Sequence, residues 1–489
     1  MGTSIDPVRG MRDVLPHDYA AQAAIAARLE RTLASYGYQP IDLPLIERRD
    51  LYLRKLGEEL VGKVYEFTFN GRDLALRPEW TASVLRAYVG RMQDQPLPLR
   101  LRYAGPVFRN ERPQRATYRQ FTQVGVELIG GPAPRADAEC IALACEGLRR
   151  AGVSSFRVRI GHIGLIRSVL AALGLAERTQ GLLAWSLERM REEGVDAVRA
   201  RLESPQPPPL DRSLVEGLDD EQAEALLLHA LREIGVNLRF GTRPPEQIVR
   251  RLVRKLRRED PQPRVERALA LLERMCRIYG PPAETLPAAA ELLREFDLPA
   301  HGLDELRAIL DLTLAHGVPP EQLTLDFGLG RGLHYYTGAI FEIYSHDGLQ
   351  ICGGGRYDDL VSALGGRSPT PAVGFAYGLE RVVAAAGQQP SEAGPPEVLV
   401  VAADDESYPY ALSVAAELRE QGYLATADVR GRSVAGNLRD AARRDVAYVA
   451  IVGAAERAAG TVLWRDVAGR EERRVSIQEI PPVGRAAES

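Results

Sequence analysis

Residues Phe108–Glu127 read FRNERPQRATYRQFTQVGVE, and the second half of this segment is rich in β-forming residues. Strict alternation along Tyr118–Glu127 places five residues on one face of the predicted strand, namely Arg119, Phe121, Gln123, Gly125 and Glu127. A cation, an aromatic ring, an amide and a carboxylate would then project together. From this segment alone, an exposed sheet face with ordinary ion pairs is the slightly favoured interpretation, and a ligand site is the alternative.

Two glycine-rich segments lie far along the chain from that strand. Asp326–Gly338 reads DFGLGRGLHYYTG, and Cys352–Asp359 reads CGGGRYDD. A glycine cluster alone is a weak signal, because tight turns account for most of them. Shortly after them, Ala372–Arg381 (AVGFAYGLER) is typical of a strand, a turn and the start of a helix, with Arg381 in the first turns.

The composition is that of a folded protein, with 45% hydrophobic and 26% charged residues. Its 489 residues predict several domains, since one domain has roughly 100–200 residues. The 62 basic and 66 acidic residues exclude a global positive field, so any RNA contact must depend on local patches. Four cysteines without CxxC spacing, and apolar runs far below the ~18 residues of a membrane span, predict a cytoplasmic protein with no membrane contact.

Segments rich in Pro, Gly and Ser divide the chain at 203–211 and 386–397, and the second is interpreted as an interdomain linker. Strand-forming runs flank a stretch rich in Leu, Ala, Arg and Glu, which predicts an α+β domain interrupted by a helical insertion. Alternating strand and helix patterns after the linker predict a small α/β domain with a largely parallel sheet. The predicted boundaries are 1–153 and 325–385 for the two parts of the α+β domain, 154–324 for the insertion, 386–396 for the linker and 397–489 for the last domain.

Taken together, these segments resemble the class II aminoacyl-tRNA synthetases and, within them, the histidyl-tRNA synthetase family. The matching segments are Arg9–Pro16 for the N-terminal signature, Gly37–Pro44 for motif 1, Leu76–Thr81 for the loop at the amino group of histidine, Phe108–Glu127 for motif 2, Arg331–Tyr336 and Gly353–Asp358 for the histidine-specific motifs, and Gly374–Arg381 for motif 3. The resemblance spans nearly the whole chain, and its specificity lies in the joint order of the segments. It implies a catalytic domain with an antiparallel sheet and a C-terminal domain like the family's anticodon-binding module.

The resemblance also implies a histidine site. It places Glu79, Thr81 and Gln123 around the substrate ammonium, and Glu127 and Tyr336 at the imidazole, with Tyr335 beside it. A neutral imidazole has one hydrogen-bond donor and one acceptor, so a carboxylate and a phenol can satisfy both ends. A substrate without those nitrogens would leave the polar groups of the site unpaired and would be rejected.

For ATP, the resemblance implies a nucleotide site and a catalytic set of three arginines. Arg109 is assigned to the α-phosphate, Glu111 to the nucleotide, Phe121 to stacking on adenine, Arg381 to the terminal phosphate, and Arg331 to a bridge between the substrate carboxylate and the α-phosphate. Fixed guanidinium groups and Mg²⁺ would offset the repulsion between a carboxylate and an anionic phosphorus, by roughly 3 kcal/mol per well-placed donor. The implied partners are histidine, ATP, tRNA(His) and a second copy of the chain.

Some residues depart from the family pattern. Ala116–Thr117 stand where motif 2 usually has Gly-Arg, and His334 stands where the family has Asp. The C-terminal domain has 15 acidic and 12 basic residues from position 397 onward, so RNA contact would depend on a local set, namely Arg430, Arg432, Arg439, Arg443 and Arg444.

A second interpretation is a catalytically inactive, histidine-sensing regulatory subunit of ATP phosphoribosyltransferase in histidine biosynthesis. Arg135–Ala144 and Gly161–Arg167 resemble that paralogue at least as closely. The synthetase interpretation is favoured by two features. The regulatory subunit usually lacks the C-terminal domain, and the arginines and the carboxylate that ATP chemistry needs are all present, namely Arg109, Glu111, Arg331 and Arg381.

Overall fold

The computed structural model describes residues 5–53, 62–112, 115–203, 218–233, 249–250, 253, 261–330, 335–387 and 395–483. The chain divides into two compact units, residues 1–389 and 390–489. The elements of the first unit are α1 (Pro16–Ser35), β1 (Gln39–Pro40), β2 (Ile46–Arg48), α2 (Arg49–Leu53), β3 (Glu66–Phe69), β4 (Arg72–Leu76), α3 (Thr81–Arg91), β5 (Leu99–Phe108), β6 (Gln120–Ile129), α4 (Arg135–Arg150), β7 (Phe156–His162), α5 (Ile163–Ala172), α6 (Glu177–Ala184), α7 (Leu187–Glu193), α8 (Val195–Glu203), α9 (Asp220–Glu233), α10 (Gln262–Met275), β8 (Tyr279–Gly280), α11 (Pro282–Glu295), α12 (His301–Ala315), β9 (Leu323–Asp326), β10 (Ala339–Ser345), β11 (Gln350–Arg356), α13 (Asp359–Ala363), β12 (Ala372–Gly378) and α14 (Leu379–Ala386).

A nine-stranded sheet forms the centre of the first unit, in the order β1-β5-β6-β12-β11-β10-β7-β9-β8. Only β1 with β5 and β7 with β9 pair in parallel, and every other neighbouring pair is antiparallel. The longest pairing joins β5 to β6 over ten residues of each strand. The predicted α+β class with an antiparallel sheet is therefore confirmed.

One face of this sheet is packed against helices. Val124, Val126 and Leu128 of β6 alternate toward that face and are buried. Helix α1 contacts β6, and α4 contacts β12. The Tyr377 hydroxyl on β12 donates to the Ala144 carbonyl of α4 at 2.9 Å, which fixes that helix against the sheet.

The opposite face of the sheet is lined by small residues in its middle. Across the strands, Glu127 of β6 pairs with Gly374, which pairs in turn with Gly355. In the next row, Gly125 pairs with Ala376, which pairs with Gly353. Because these neighbours have little or no side chain, the face leaves space above the sheet for a bound molecule.

A buried ion pair joins the helix side of the unit to the glycine-rich strand β11. The Arg356 guanidinium contacts Asp137 of α4 at 2.5 Å, and both side chains are almost fully buried. Arg356 also donates to Asp358 at 2.9 Å and to the Gly131 carbonyl at 3.1 Å. Removing one partner would leave a buried, uncompensated charge, so this pair fixes β11 relative to α4.

The segment 154–324, predicted as a helical insertion, is not helical throughout. Its ends are strands of the main sheet, because β7 lies between β10 and β9, and β9 continues to β8. The alternation in Phe156-Arg-Val-Arg-Ile160 is the strand signal that the high Leu, Ala, Arg and Glu content of the segment concealed. Helices α5 to α12 occupy the chain between β7 and β9, interrupted only by the short strand β8 among the described residues.

A separate three-stranded antiparallel sheet has the order β2-β4-β3. Several of its large apolar side chains are exposed, including Phe69 at 63% and Ile46 at 49%. In the described part of the chain, no helix is both long and apolar enough to cross a membrane.

The second unit contains β13 (Glu397–Ala402), α15 (Tyr408–Glu420), β14 (Leu424–Ala427), α16 (Val434–Arg443), β15 (Tyr448–Val452), α17 (Ala454–Ala459), β16 (Thr461–Asp466) and β17 (Glu472–Ser476). Its sheet has the order β14-β13-β15-β16-β17. The α/β class is confirmed, but the sheet is only half parallel. β14, β13 and β15 run in parallel, whereas β16 and β17 are antiparallel additions at one edge.

Candidate active site

A cavity of about 250 Å³ lies where three of the predicted segments meet. Its lining comes from the segment before β6 and from β6 itself, from the start of β11, and from the junction of β12 and α14. Five residues predicted for the site line it together, namely Arg109, Glu111, Phe121, Gln123 and Arg381. The structure therefore brings together residues separated by more than half of the chain.

Arg381 lies in the first turn of α14, immediately after β12. Its guanidinium donates to the Gln350 carbonyl and to the Thr117 hydroxyl, both at 3.1 Å. Glu380 accepts from the Thr122 N–H with both carboxylate oxygens, at 2.9 and 3.1 Å. Burial raises the pKa of Glu380, against the N–H groups and the Arg12 guanidinium that lower it.

Arg109 and Phe121 are neighbours at the same cavity. The Arg109 Nε donates to the Pro78 carbonyl at 2.8 Å, and its guanidinium carbon is 5.3 Å from the centre of the Phe121 ring. Glu111 lies 3.6 Å from the Lys63 ammonium. A cation beside an aromatic ring and a carboxylate can hold the phosphate and base ends of a nucleotide.

Glu127 is a fully buried carboxylate surrounded by hydroxyl groups. The Thr81 and Tyr103 hydroxyls donate to its Oε1 at 2.7 and 3.1 Å, and the Tyr357 hydroxyl donates to its Oε2. Burial raises the pKa of Glu127 to about 8, although the hydroxyl donors lower it. Glu127 and Gln123 lie on the same face of β6, the face lined by Gly374 and Ala376 of the neighbouring strand. Gln123 also lines the cavity, so Glu127 lies on the face of the sheet that the cavity adjoins.

Glu79 and Gln123 each have a buried oxygen atom that accepts no hydrogen bond from the described residues. The other oxygen of Glu79 accepts from the Ala82 N–H at the start of α3, at 3.0 Å. Burial raises the pKa of Glu79, against the Ala82 N–H and the Arg109 guanidinium, which lower it. Buried acceptors without donors are costly, so a ligand with N–H groups would stabilise them.

Tyr335 and Tyr336 are buried, and Tyr335 contacts the ring of Tyr357, whose hydroxyl donates to Glu127. Their ring centres are 4.8 Å apart, and the Tyr335 ring lies edge-on to Tyr357 at 5.7 Å. A Cβ atom on Gly355 would come within 2.8 Å of the Tyr336 ring, so the glycine makes room for this tyrosine. Arg331 and His334 lie outside the described residues.

Two residues at Glu127 were not predicted from the sequence, namely Tyr103 and Tyr357. Tyr357 lies in the glycine-rich segment Cys352–Asp359, and the three glycines before it mark the segment as a candidate part of the site. Tyr103 is paired with Gly125 across β5 and β6, and this register could have identified it once the two strands were matched.

No group of three or more His, Cys, Asp or Glu side chains suited to a metal ion occurs among the residues described.

Known protein families match the two units of the chain separately. The profile of the family described as Histidyl-tRNA synthetase matches residues 10–235 and 247–382, and the profile described as Anticodon binding domain matches residues 397–485. A Histidine--tRNA ligase of Methanocaldococcus jannaschii is 32% identical over 474 residues, covering 96% of this chain and 97% of that protein. A Histidine--tRNA ligase of Archaeoglobus fulgidus is 34% identical over 481 residues, covering 97% and 98%.

Solved structures show the same fold. The apo histidyl-tRNA synthetase of S. aureus matches with a TM-score of 0.63 and 23% identity, over 97% of this chain and 98% of that chain. A Bacillus halodurans structure described as an ATP phosphoribosyltransferase regulatory subunit/histidyl-tRNA synthetase matches with a TM-score of 0.65 and 23% identity, over 93% and 99%.

We expect Gly374→Ala to lower the free energy of unfolding by about 1–3 kcal/mol, the usual cost of overpacking a well-filled site. The added Cβ would overlap the Glu127 Oε2 and the Val126 carbonyl, neither of which can move freely. Gly90 in α3 is the matched control, because no atom lies within 4 Å of a Cβ there. Gly90→Ala should raise stability by roughly 0.5–1 kcal/mol. Urea denaturation measures both, and equal stability of Gly374→Ala and the wild type would contradict the role of this glycine.

Proposed function

The chain belongs to the histidyl-tRNA synthetase family, and from that premise we propose that it joins histidine to tRNA(His) in the cavity described above. As a histidine--tRNA ligase it uses ATP to form histidyl-adenylate and transfers the histidyl group to the 3′ end of the tRNA. The observation that carries the proposal for the site is the meeting of Arg109, Arg381 and Phe121 at one cavity.

In the proposed first step, an oxygen of the histidine carboxylate attacks the α-phosphorus of ATP. The bond from that phosphorus to the bridging oxygen breaks, and pyrophosphate leaves with the electron pair. Arg109 would contact the α-phosphate and Arg381 the terminal phosphate, while Phe121 stacks on adenine. Both guanidinium groups are already oriented by backbone or hydroxyl acceptors, so they stabilise the developing charge with little reorganisation.

In the proposed second step, a hydroxyl of the terminal ribose of the tRNA attacks the carbonyl carbon of the adenylate. The bond between that carbon and the phosphate oxygen breaks, AMP leaves with the electron pair, and the proton of the hydroxyl passes to a phosphate oxygen of AMP or to water. Arg331 is assigned to the bridge between the substrate carboxylate and the α-phosphate by resemblance alone, since it lies outside the described residues.

Mg²⁺ is part of the proposal as an ion that arrives with the phosphates of ATP, which is its usual mode of binding. Among the described residues that line the cavity, two are carboxylates, Glu111 and Glu380. Both oxygens of Glu380 already accept from the Thr122 N–H, so Glu111 is the side chain that would contact the ion. When bound, Mg²⁺ would neutralise charge on the leaving pyrophosphate.

For histidine, we propose that Glu127 and Tyr336 bind the imidazole and that Glu79, Thr81 and Gln123 surround the ammonium, with Tyr335 beside the ring. Support comes from the oxygen atoms of Glu79 and Gln123, which are buried without donors from the described residues. An ammonium group has three donors and could satisfy both. The hydroxyl groups around Glu127 keep its carboxylate at a fixed position for an imidazole N–H.

We propose that the second unit contacts tRNA, and the match of residues 397–485 to the anticodon-binding profile supports this assignment. Of the arginines predicted for RNA, Arg432, Arg443 and Arg444 form ion pairs with acidic residues of the same unit. Arg430 and Arg439 are exposed, and their side chains have no ion pair with the described residues. We therefore assign RNA contact first to these two.

The regulatory-subunit interpretation is not favoured. Relatives named Histidine--tRNA ligase match this chain over nearly its whole length, including the C-terminal unit. The Bacillus halodurans structure that also has a regulatory description supports only the shared fold at 23% identity.

Homodimerisation is the final part of the proposal. Leu45, Ile46, Phe67 and Phe69 expose between 40% and 63% of their surface on or beside the three-stranded sheet. A wide depression of about 540 Å³ lies next to them, lined in part by Leu43 and Pro44. An apolar surface of this kind is typical of an interface between protein chains, and a second copy would bury it.

A cytoplasmic location belongs to the same proposal. All four cysteines are buried free thiols, the state that a reducing compartment maintains.

We expect the purified protein to exchange pyrophosphate into ATP only when histidine is present, because the reverse of adenylation requires the bound amino acid. The other amino acids tested one at a time are the controls. Absence of exchange with saturating histidine and Mg²⁺ would contradict the proposed function.

We expect histidine binding near pH 7.5 to release protons. Burial raises the pKa of Glu127 to about 8, so part of the free protein holds this side chain protonated near pH 7.5, and an imidazole N–H needs its ionised form. Histidine affinity should therefore rise with pH until about 8 and then level off. Titration calorimetry in two buffers with different ionisation enthalpies measures the released protons.

Glu127→Gln should abolish that proton release and weaken histidine binding about tenfold, since one charge-assisted hydrogen bond is lost. Glu305→Gln is the control, because Glu305 pairs with His162 at 2.9 Å and is not in the proposed site. Equal proton release by Glu127→Gln and the wild type would remove Glu127 from the imidazole site.

Phe69→Asp should shift the protein from dimer to monomer in sedimentation velocity, because it places a charge in the exposed apolar surface. Leu412→Asp, at a similarly exposed position of the second unit, should leave the mass at twice the 53.7 kDa of one chain. A wild-type protein that sediments as a monomer would contradict this part of the proposal.

A further inference from the structure

The Arg381 guanidinium is held by acceptors from two separate segments. One is the Gln350 carbonyl at the start of β11, which binds Nη1, and the other is the Thr117 hydroxyl, which binds Nη2. Both distances are 3.1 Å, and both acceptors line the same cavity as Arg381. The guanidinium therefore has a defined orientation before a ligand enters.

The Thr117 hydroxyl is itself oriented. It can donate to the Arg115 carbonyl, 3.5 Å away, which leaves an oxygen lone pair for Arg381. A hydroxyl can donate one hydrogen bond and accept two, so these two contacts are compatible. Thr117 therefore acts toward Arg381 as an acceptor.

The backbone next to Thr117 adopts an unusual conformation. Ala116 has a φ angle of 52°, in the left-handed region that alanine adopts less readily than glycine. Contacts outside the turn must therefore hold it in this shape. One such contact is the ion pair of Arg115 with Asp347, at 3.0 Å.

Asp347 lies in the turn between β10 and β11, three residues before Gln350. The Arg115 pair therefore links the segment that carries Thr117 to the segment that carries the second acceptor of Arg381. This exposed pair therefore adds a weak contact between the two segments that hold Arg381.

We propose that Thr117 is a positioning residue for ATP binding, which acts by holding Arg381 turned into the cavity toward the terminal phosphates. This inference rests on the proposed role of Arg381 at the nucleotide. A guanidinium that is already oriented loses less conformational freedom on binding and stabilises phosphate charge more effectively. Without the hydroxyl, the Gln350 carbonyl is the one acceptor that Arg381 keeps among the described residues, and the guanidinium can rotate about that contact.

The direct test is Thr117→Val, which keeps the shape of the side chain and removes the hydroxyl. We expect the KM for ATP in histidine-dependent pyrophosphate exchange to rise about tenfold, with the KM for histidine unchanged. Thr117→Ser retains the hydroxyl and should stay within about twofold of the wild type. Thr32→Val is the matched control, because it removes a threonine hydroxyl that bonds a backbone carbonyl within α1, at 2.9 Å.

A double-mutant cycle separates positioning from a general effect on the fold. In an Arg381→Lys background, Thr117→Val should change ATP binding less than twofold, since the group on which Thr117 acts has been replaced. A full tenfold effect in that background, or equal losses for Thr117→Ser and Thr117→Val, would overturn the inference.

Equilibrium binding of ATP by calorimetry distinguishes this inference from the proposed function. Equal ATP affinity of Thr117→Val and the wild type would overturn the role of Thr117, whatever the exchange assay shows. Failure of the wild type to catalyse exchange while Thr117→Val still weakens ATP binding would overturn the proposed function and support the positioning role.

Discussion

The site depends on one buried carboxylate. Glu127 is removed from water, and such a group is tolerated only where donors surround it. Thr81, Tyr103 and Tyr357 supply those donors from the start of α3, from β5 and from the position that follows β11. Three distant parts of the chain must therefore be in register before this carboxylate is satisfied, and the same contacts build the wall of the proposed histidine pocket.

The absence of side chains beside Glu127 matters as much as the donors around it. Gly374 lies directly across the sheet from Glu127, and Gly355 lies beyond it under Tyr336. These glycines let a carboxylate and an aromatic ring lie flat above the strands. Gly353 and Gly355 of the segment Cys352–Asp359 are thus explained by the space that the site requires. Gly328 and Gly338 of the other glycine-rich segment instead lie against Cys276 and Arg356, outside the cavity.

Local patterns predicted some of the strands, such as β6 and β12, whereas the roles of the cavity residues were predicted from the family resemblance. Period-two alternation along Tyr118–Glu127 placed Phe121, Gln123 and Glu127 on one face, and these residues do share it. Tyr103 was beyond such reasoning, because its approach to Glu127 depends on the pairing of β5 with β6. The strand Phe156–His162 shows a different limit, since its alternation was visible but the helical composition around it dominated the interpretation.

The contacts that hold the segment with Thr117 are more exposed to solvent than the contacts at the histidine end of the site. Arg115 and Asp347 meet at the surface, with 73% and 41% of their side chains exposed. The described donors to Glu127, namely Thr81, Tyr103 and Tyr357, are partly or fully shielded from solvent. Dissolved ions screen a pair at the surface far more than a contact in the interior. Rising ionic strength should accordingly loosen the nucleotide end of the cleft while the amino-acid end keeps its shape.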